Sequence, residues 1–399
     1  MLYAPDSHES LTDRPWDESR VRTAIAEIVA ETEAAFDEAE LWPAHPRDLD
    51  DGPLPAVSSL YLGASGVIWA LHELERAGVA DLRRDWAPVA VSLVERYRAR
   101  PDFVEDGLVE GAVPSLLMGE SGILLVAHTL APGSWLEDAL LEAVRENAAN
   151  PFWELMWGSP GTMIAARVMH GRTDAARWLD AWEESAALLL AEWREDLWQQ
   201  DLYGKPTHCF GPAHGLAGNV IALTAGEILD PARRAVVERR VISILSTYAQ
   251  REAGLCQWPP ALKPPSTPQP IRTQWCHGAP GMVASLAALA PDDAELSELL
   301  LGGGELTWLA GPIAKGAQLC HGTAGNGYAF LALHRRTNDS MWLTRARAFA
   351  MHAIGQQERM RAQYGQGRYT LWTGDPGLAV YLWHCIEGKG GLPGLDVMD

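Results

Sequence analysis

The chain has 399 residues, 47% of them apolar and 21% charged, the balance of a folded protein rather than a disordered one. Its 32 basic and 52 acidic residues leave a formal charge of −20, a field that repels phosphate backbones and anionic bilayers, so neither nucleic acid nor a membrane is an expected partner. The five cysteines are odd in number and scattered, and the opening string MLYAPDSHESLTDRPWDESR has no basic start followed by an apolar run, so a cytoplasmic location is expected.

In chain order, residues 1–55 form an acidic segment expected to lie outside the repeats and pack on them. From residue 56 to 399 the chain reads as one repeat-built unit, because a Gly-x-x-Gly element followed by an apolar run occurs seven times. The copies are GASG (Gly63), GESG (Gly119), GSPG (Gly158), GLAG (Gly215), GAPG (Gly278), GTAG (Gly322) and GDPG (Gly374), with first glycines 56, 39, 57, 63, 44 and 52 residues apart. After Gly66 the apolar positions Val67, Ile68, Leu71 and Leu74 share one helical face, as do Ile123, Leu124, Ala127 and Leu130 after Gly122. Between the motifs, Pro88 to Tyr97, Trp178 to Trp193 and Arg233 to Tyr248 read as partner helices. Strand-type alternation is scarce, and the chain is expected to be all-α.

Two stretches carry no Asp, Glu, Lys or Arg, Pro206 to Gly226 and Thr273 to Pro291, but Gly, Pro and His interrupt both, so neither reads as a membrane span. Trp258 to Pro270 (WPPALKPPSTPQP) carries six prolines and reads as a stiff extended loop, either a surface linker or a rim over a site.

A single Gly-x-x-Gly is no more than a helix-start turn. Seven in one chain point to a closed ring of helix pairs, since glycine lets chain segments approach closely. The helix starts would then converge, with free N–H groups and positive dipole ends facing a central site.

Three motifs carry unusual side chains just ahead of the glycines: His208-Cys209-Phe210-Gly211-Pro212-Ala213-His214, Arg272-Thr273-Gln274-Trp275-Cys276-His277, and Lys315-Gly316-Ala317-Gln318-Leu319-Cys320-His321. If the motifs converge, Cys276, Cys320 and the three histidines converge with them. Two thiolates and an imidazole suit Zn²⁺ and leave a fourth position open, as catalytic zinc requires. Buried packing residues are the competing reading of each Cys-His pair.

The strings WCHGAPG, LCHGTAGNGYAFL and AHGLAG resemble the lanthionine synthetase C-like family, in particular its eukaryotic-type members, over about Leu60 to Trp383. The resemblance implies an α/α toroid, an inner barrel of seven helices within an outer seven, and a zinc ion held by Cys276, Cys320 and His321. It implies thioether formation between a thiol and the β-carbon of dehydroalanine or dehydrobutyrine in a peptide or protein. His214 matches the family's acid/base histidine. Arg272 matches an arginine near the reacting centre, and Glu154 stands where cyclases carry an acidic residue, usually Asp. His277 is read as lying beside the metal rather than on it. Eukaryotic-type members bind glutathione, whose carboxylates need cations; Lys315 matches a basic position used there, and Arg368 is a looser match. Each of these charges also reads as a rim ion pair, a cap or a solvated residue.

The leading expectation is therefore a zinc-dependent enzyme adding glutathione or a similar thiol to dehydroamino acids. The alternatives are a peptide cyclase making lanthionine rings in a precursor peptide, a zinc- and glutathione-binding protein without turnover, and a carbohydrate enzyme of helical-toroid type, kept open by the 17 tryptophans.

Overall fold

The computed structural model describes residues 1–48, 56–104, 107–202, 204–262, 271–396 and 398. Within them lie fourteen α-helices: α1 (Glu18–Ala34), α2 (Ala64–Arg76), α3 (Ala87–Ala99), α4 (Glu120–Leu130), α5 (Ser134–Glu146), α6 (Ser159–Thr173), α7 (Ala176–Glu192), α8 (Leu216–Thr224), α9 (Pro231–Tyr248), α10 (Ala279–Leu286), α11 (Ala294–Ala310), α12 (Thr323–Thr337), α13 (Ser340–Tyr364) and α14 (Asp375–Glu387). The only named strands among the described residues form two short antiparallel hairpins, β1 (Gln200–Leu202) with β2 (Lys205–Thr207) and β3 (Gln250–Glu252) with β4 (Leu255–Gln257).

The seven helices that follow the glycine motifs form an inner layer. Going round, α2 packs on α4, α4 on α6, α6 on α8, α8 on α10, α10 on α12, α12 on α14, and α14 returns to α2. These helices are buried almost all round, as for α8, where every residue from Leu216 to Leu223 is buried. The remaining seven helices flank them outside. One of these, α1, comes from the segment ahead of the repeats and packs against α13 and α14. The all-α double ring read from the sequence is the architecture observed.

The second glycine of each motif is what closes the ring. A Cβ at Gly66 would lie 2.8 Å from Leu371 Cβ, one at Gly122 2.8 Å from Leu60 Cβ, and one at Gly325 3.2 Å from Trp275 Cβ. In all seven copies the neighbour is the residue three places before the first glycine of the previous motif: Leu371, Leu60, Leu116, Leu155, Pro212, Trp275 and Leu319. The same hypothetical Cβ at Gly325 would fall 1.7 Å from its own loop's Leu319 carbonyl, so no side chain fits there.

One expectation is corrected here. Six of the seven inner helices do not present a free first N–H to the centre. In five it bonds back to a carbonyl seven residues earlier, Ala64 to Val57, Glu120 to Val113, Leu216 to Cys209, Thr323 to Gly316 and Asp375 to Arg368, and in α10 Ala279 N–H donates to Gln257 Oε1 at 2.6 Å. Four of the seven outer helices have an N-cap side chain instead: Asp17 on α1, Asp230 on α9, Asp293 on α11 and Asp339 on α13.

The tryptophans belong to this packing. Eight of the 17 are among the largest fully buried side chains, so they fill the core rather than form exposed platforms for a sugar. In the proline-rich stretch, Pro260 and Leu262 pair with motif four through Phe210 N–H to Pro260 O and Leu262 N–H to His208 O. Whether the rest forms a rim falls on residues 263–270, outside the described residues.

Candidate functional site

The motif positions two residues before the first glycine are linked by backbone hydrogen bonds. Cys276 N–H donates to Cys320 O (3.1 Å), Cys320 N–H to Trp372 O (2.9 Å), Trp372 N–H to Tyr61 O (3.2 Å) and Tyr61 N–H to Leu117 O (2.9 Å). Motif four joins from the other side, where Gly211 packs so closely on the Cys276 carbonyl that a Cβ would lie 2.2 Å from it. Two cysteines 44 residues apart thus become neighbours because they fill adjacent places in one ring.

Both thiols are buried, and the Cys320 thiol lies against that of Cys276. The contact with Cys320 holds Cys276 below the ordinary thiol range, against the effect of burial, with Gln274, His214 and Arg272 helping. The same contact, with burial, pushes Cys320 well above that range. Each sulfur has a further polar neighbour. Gln274 Nε2 donates to Cys276 Sγ at 3.0 Å, and the Tyr61 hydroxyl meets Cys320.

His214 follows the pattern one position on. Its Nδ1 is 2.8 Å from Glu154 Oε2, and Glu154 is fully buried, held by the N–H groups of Met156 (2.9 Å) and Trp157 (2.7 Å). A carboxylate so held accepts, so Nδ1 carries the hydrogen and Nε2 is left free. Burial lowers the imidazole's proton affinity, but the Glu154 charge and hydrogen bond, with Cys276, raise it above the usual value overall. Glu154 therefore both orients the histidine and satisfies the turn before α6.

His277 packs beside His214, with ring centroids 6.3 Å apart. Burial, then His214, Arg272 and Lys315, push its pKa down to about 3, and its Nδ1 is buried without a hydrogen-bond partner. His321 is brought to about 4 by burial and the cations Lys315, Arg368 and Arg47. Both rings are neutral at physiological pH, the form in which imidazole binds a metal. The structure brings the two sulfurs together but does not gather His321 with them: among the described residues no three His, Cys, Asp or Glu side chains stand in metal-holding proximity. The donor set of two thiols and neutral imidazoles nonetheless has the chemistry zinc takes.

A cation acts on each thiol. Arg272 is exposed and acts electrostatically on Cys276 and His277; Lys315 is exposed and acts on Cys320, His277 and His321. Arg368 is not a free cation. Its guanidinium forks onto Asp48, with Nε to Oδ2 at 2.8 Å and a second contact from the adjoining nitrogen to Oδ1. Beside that pair lies a cavity of about 350 Å³ lined by Trp42, His45, Asp48, Asp102, Phe103 and Tyr369 among others. Neither thiol nor His214 lines it.

Sequence reasoning missed Tyr61, Gln274, Arg47 and Asp48. Tyr61 carried a usable signal, since it holds the same place before Gly63 as Cys276 and Cys320 hold before Gly278 and Gly322. Asp48 carried none, lying 320 residues from its partner.

Comparison with known proteins places the family and the fold. Residues 55–390 match the family described as lanthionine synthetase C-like protein. A stretch of 122 residues, 29% of this chain, is 36% identical to LanC-like protein GCL1 of Arabidopsis thaliana and covers 28% of it. Another of 82 residues, 20% of this chain, is 43% identical to glutathione S-transferase LANCL1 of Danio rerio and covers 20% of it. The matched stretches thus span less than a third of these curated relatives. Nisin cyclase superposes with a TM-score of 0.55 at 16% identity, over 93% of this chain and 99% of that one, a likeness of fold.

Proposed function

The chain belongs to the lanthionine synthetase C-like family, and from that premise we propose that it adds a thiol, glutathione in the first instance, to dehydroalanine or dehydrobutyrine residues of peptides or proteins. The observation that carries this reading is the buried Cys276–Cys320 pair one motif away from the Glu154–His214 pair.

In this reading Cys276, Cys320 and His321 would be the residues that hold a zinc ion. A bound zinc ion supplies a Lewis acid that keeps an incoming thiol as thiolate near neutral pH. The thiol sulfur bonds to the β-carbon of the dehydroamino acid, the π pair moves onto the carbonyl as an enolate, and the proton of the imidazolium at His214 passes to the α-carbon. The thiol's own proton leaves to solvent, from which His214 recovers one, so atoms and charge balance. Glu154 favours the protonated histidine between turnovers. Arg272 offers a guanidinium to the enolate oxygen, and Lys315 a cation to the thiol's carboxylate. No helix among the described residues is long and apolar enough to cross a membrane.

The test is intact-mass analysis of a dehydroalanine peptide after incubation with the protein, zinc and glutathione. The expected product gains the mass of one glutathione. With a peptide that also carries a cysteine, ring closure without mass gain would favour the cyclase alternative instead. Tight glutathione binding without any product would favour a binding protein.

A further inference from the structure

The residues ahead of α2 do more than complete the outer layer. Ala44 to Asp48 run across the loops that precede motifs six and seven, and four contacts pin them there. Gln366 Nε2 donates to Ala44 O at 3.0 Å, and the His45 ring sits edge-on to Tyr364 with centroids 4.7 Å apart. The Arg47 guanidinium donates to Lys315 O at 2.7 Å, and Asp48 takes the Arg368 fork. Arg47 thus holds the backbone of one candidate carboxylate-binding cation, and Asp48 neutralises the other.

The pair is largely shielded, with 11% of the Arg368 side chain and 18% of that of Asp48 exposed. A two-point guanidinium–carboxylate contact is the same contact a ligand carboxylate would make, so the two compete for one fork. The main chain at Arg368 does not depend on Asp48, because its N–H donates to Asp375 Oδ2 at 3.2 Å and its carbonyl accepts from Asp375 N–H at 2.8 Å. Removing Asp48 therefore leaves the backbone anchored and frees the guanidinium of the carboxylate it now holds.

We infer that Asp48 is a built-in competitor for the carboxylate of an anionic thiol, and that Ala44 to Asp48 form a strap which lets go of Arg368 when such a thiol binds. The inference rests on the thiol chemistry proposed above. Its consequence is selectivity: a thiol with carboxylates must displace Asp48, whereas an esterified thiol has nothing to gain at Arg368.

The test is equilibrium binding of glutathione and of its diethyl ester to the zinc-loaded protein, in wild type, Asp48→Asn and Arg368→Gln. Asp48→Asn is expected to raise the affinity for glutathione relative to the ester by about tenfold, and Arg368→Gln to lower that ratio below the wild-type value. A ratio unchanged or lowered by Asp48→Asn overturns the inference. Should that variant fail to fold, amide exchange in the wild type decides: saturating glutathione is expected to speed exchange at 44–48, and unchanged or slower exchange overturns the strap. Failure of the underlying reading looks different. There, no thioether forms even with uncharged 2-mercaptoethanol, whatever the binding ratio does.

Discussion

Motifs one, two, three and seven share a backbone plan with motifs four, five and six but differ in what they hang on it. In the two places before the first glycine, the first group carries Tyr61-Leu62, Leu117-Met118, Met156-Trp157 and Trp372-Thr373, while the second carries Ala213-His214, Cys276-His277 and Cys320-His321. The second glycines close on the previous motif in both groups alike. Architecture here belongs to the glycines, and the Cys and His side chains of the candidate site to the two places ahead of them in three of seven copies, with Glu154 reaching His214 from motif three. A side chain placed in these positions meets its counterparts from distant parts of the chain at no further conformational expense.

The strongest way to break the comparison is to attack what both groups share. Gly325→Ala puts a methyl group 1.7 Å from the Leu319 carbonyl and 3.2 Å from Trp275 Cβ. A loss on the order of 3 kcal/mol or more is expected, since backbone rather than a flexible side chain must move, and denaturant unfolding measures it. An equal loss is expected from Gly122→Ala in motif two, which carries no Cys-His. A loss confined to the motifs of the second group would mean that the glycines serve the site rather than the ring.

Next in size are changes that leave the ring intact and remove chemistry from one copy. His214→Ala is expected to keep its zinc and to lose about 100-fold or more in kcat, the usual worth of a positioned acid or base. Glu154→Gln sharpens this through pH. The raised proton affinity of His214 keeps its protonated form to higher pH, so the limb of the rate profile that falls as pH rises is expected to follow this histidine. Losing the carboxylate moves that limb to lower pH. The stability the pair contributes follows the same sign: it is fully present below about pH 6.5, the ordinary histidine value, and is lost as pH rises through the raised value. A falling limb that stays in place in Glu154→Gln would remove His214 from the acid role.

The smallest expected effect crosses between the groups. Tyr61 belongs to a motif without Cys-His yet meets Cys320. Tyr61→Phe is expected to weaken zinc by about tenfold in a chelator competition, as the loss of a hydrogen bond to a metal ligand commonly does. Zinc affinity unchanged would leave Tyr61, and with it motif one, outside the metal site.

The fold was legible because its signal is repetitive: seven glycine pairs at helix-pair spacing leave few architectures. Partner helices read at Pro88 to Tyr97 and Arg233 to Tyr248 correspond to α3 and α9, while that read at Trp178 to Trp193 stops one residue earlier, in α7 at Glu192. The meeting of Cys276 with Cys320 was legible for the same reason. The free helix N–H groups were misread because a motif does not disclose that its own loop folds back to satisfy them. The Arg368–Asp48 pair could not be read at all, since one partner lies in the repeats and the other in the segment before them, and no local pattern joins them.

The central claim is that two sulfurs from neighbouring motifs hold the metal that activates the thiol, and the most direct measurement is zinc content per chain in the purified protein and in its Cys276→Ala, Cys320→Ala double variant. The account predicts one zinc in the wild type and none in the folded variant. A wild type that takes up no zinc, or a double variant that keeps its full complement, would contradict it.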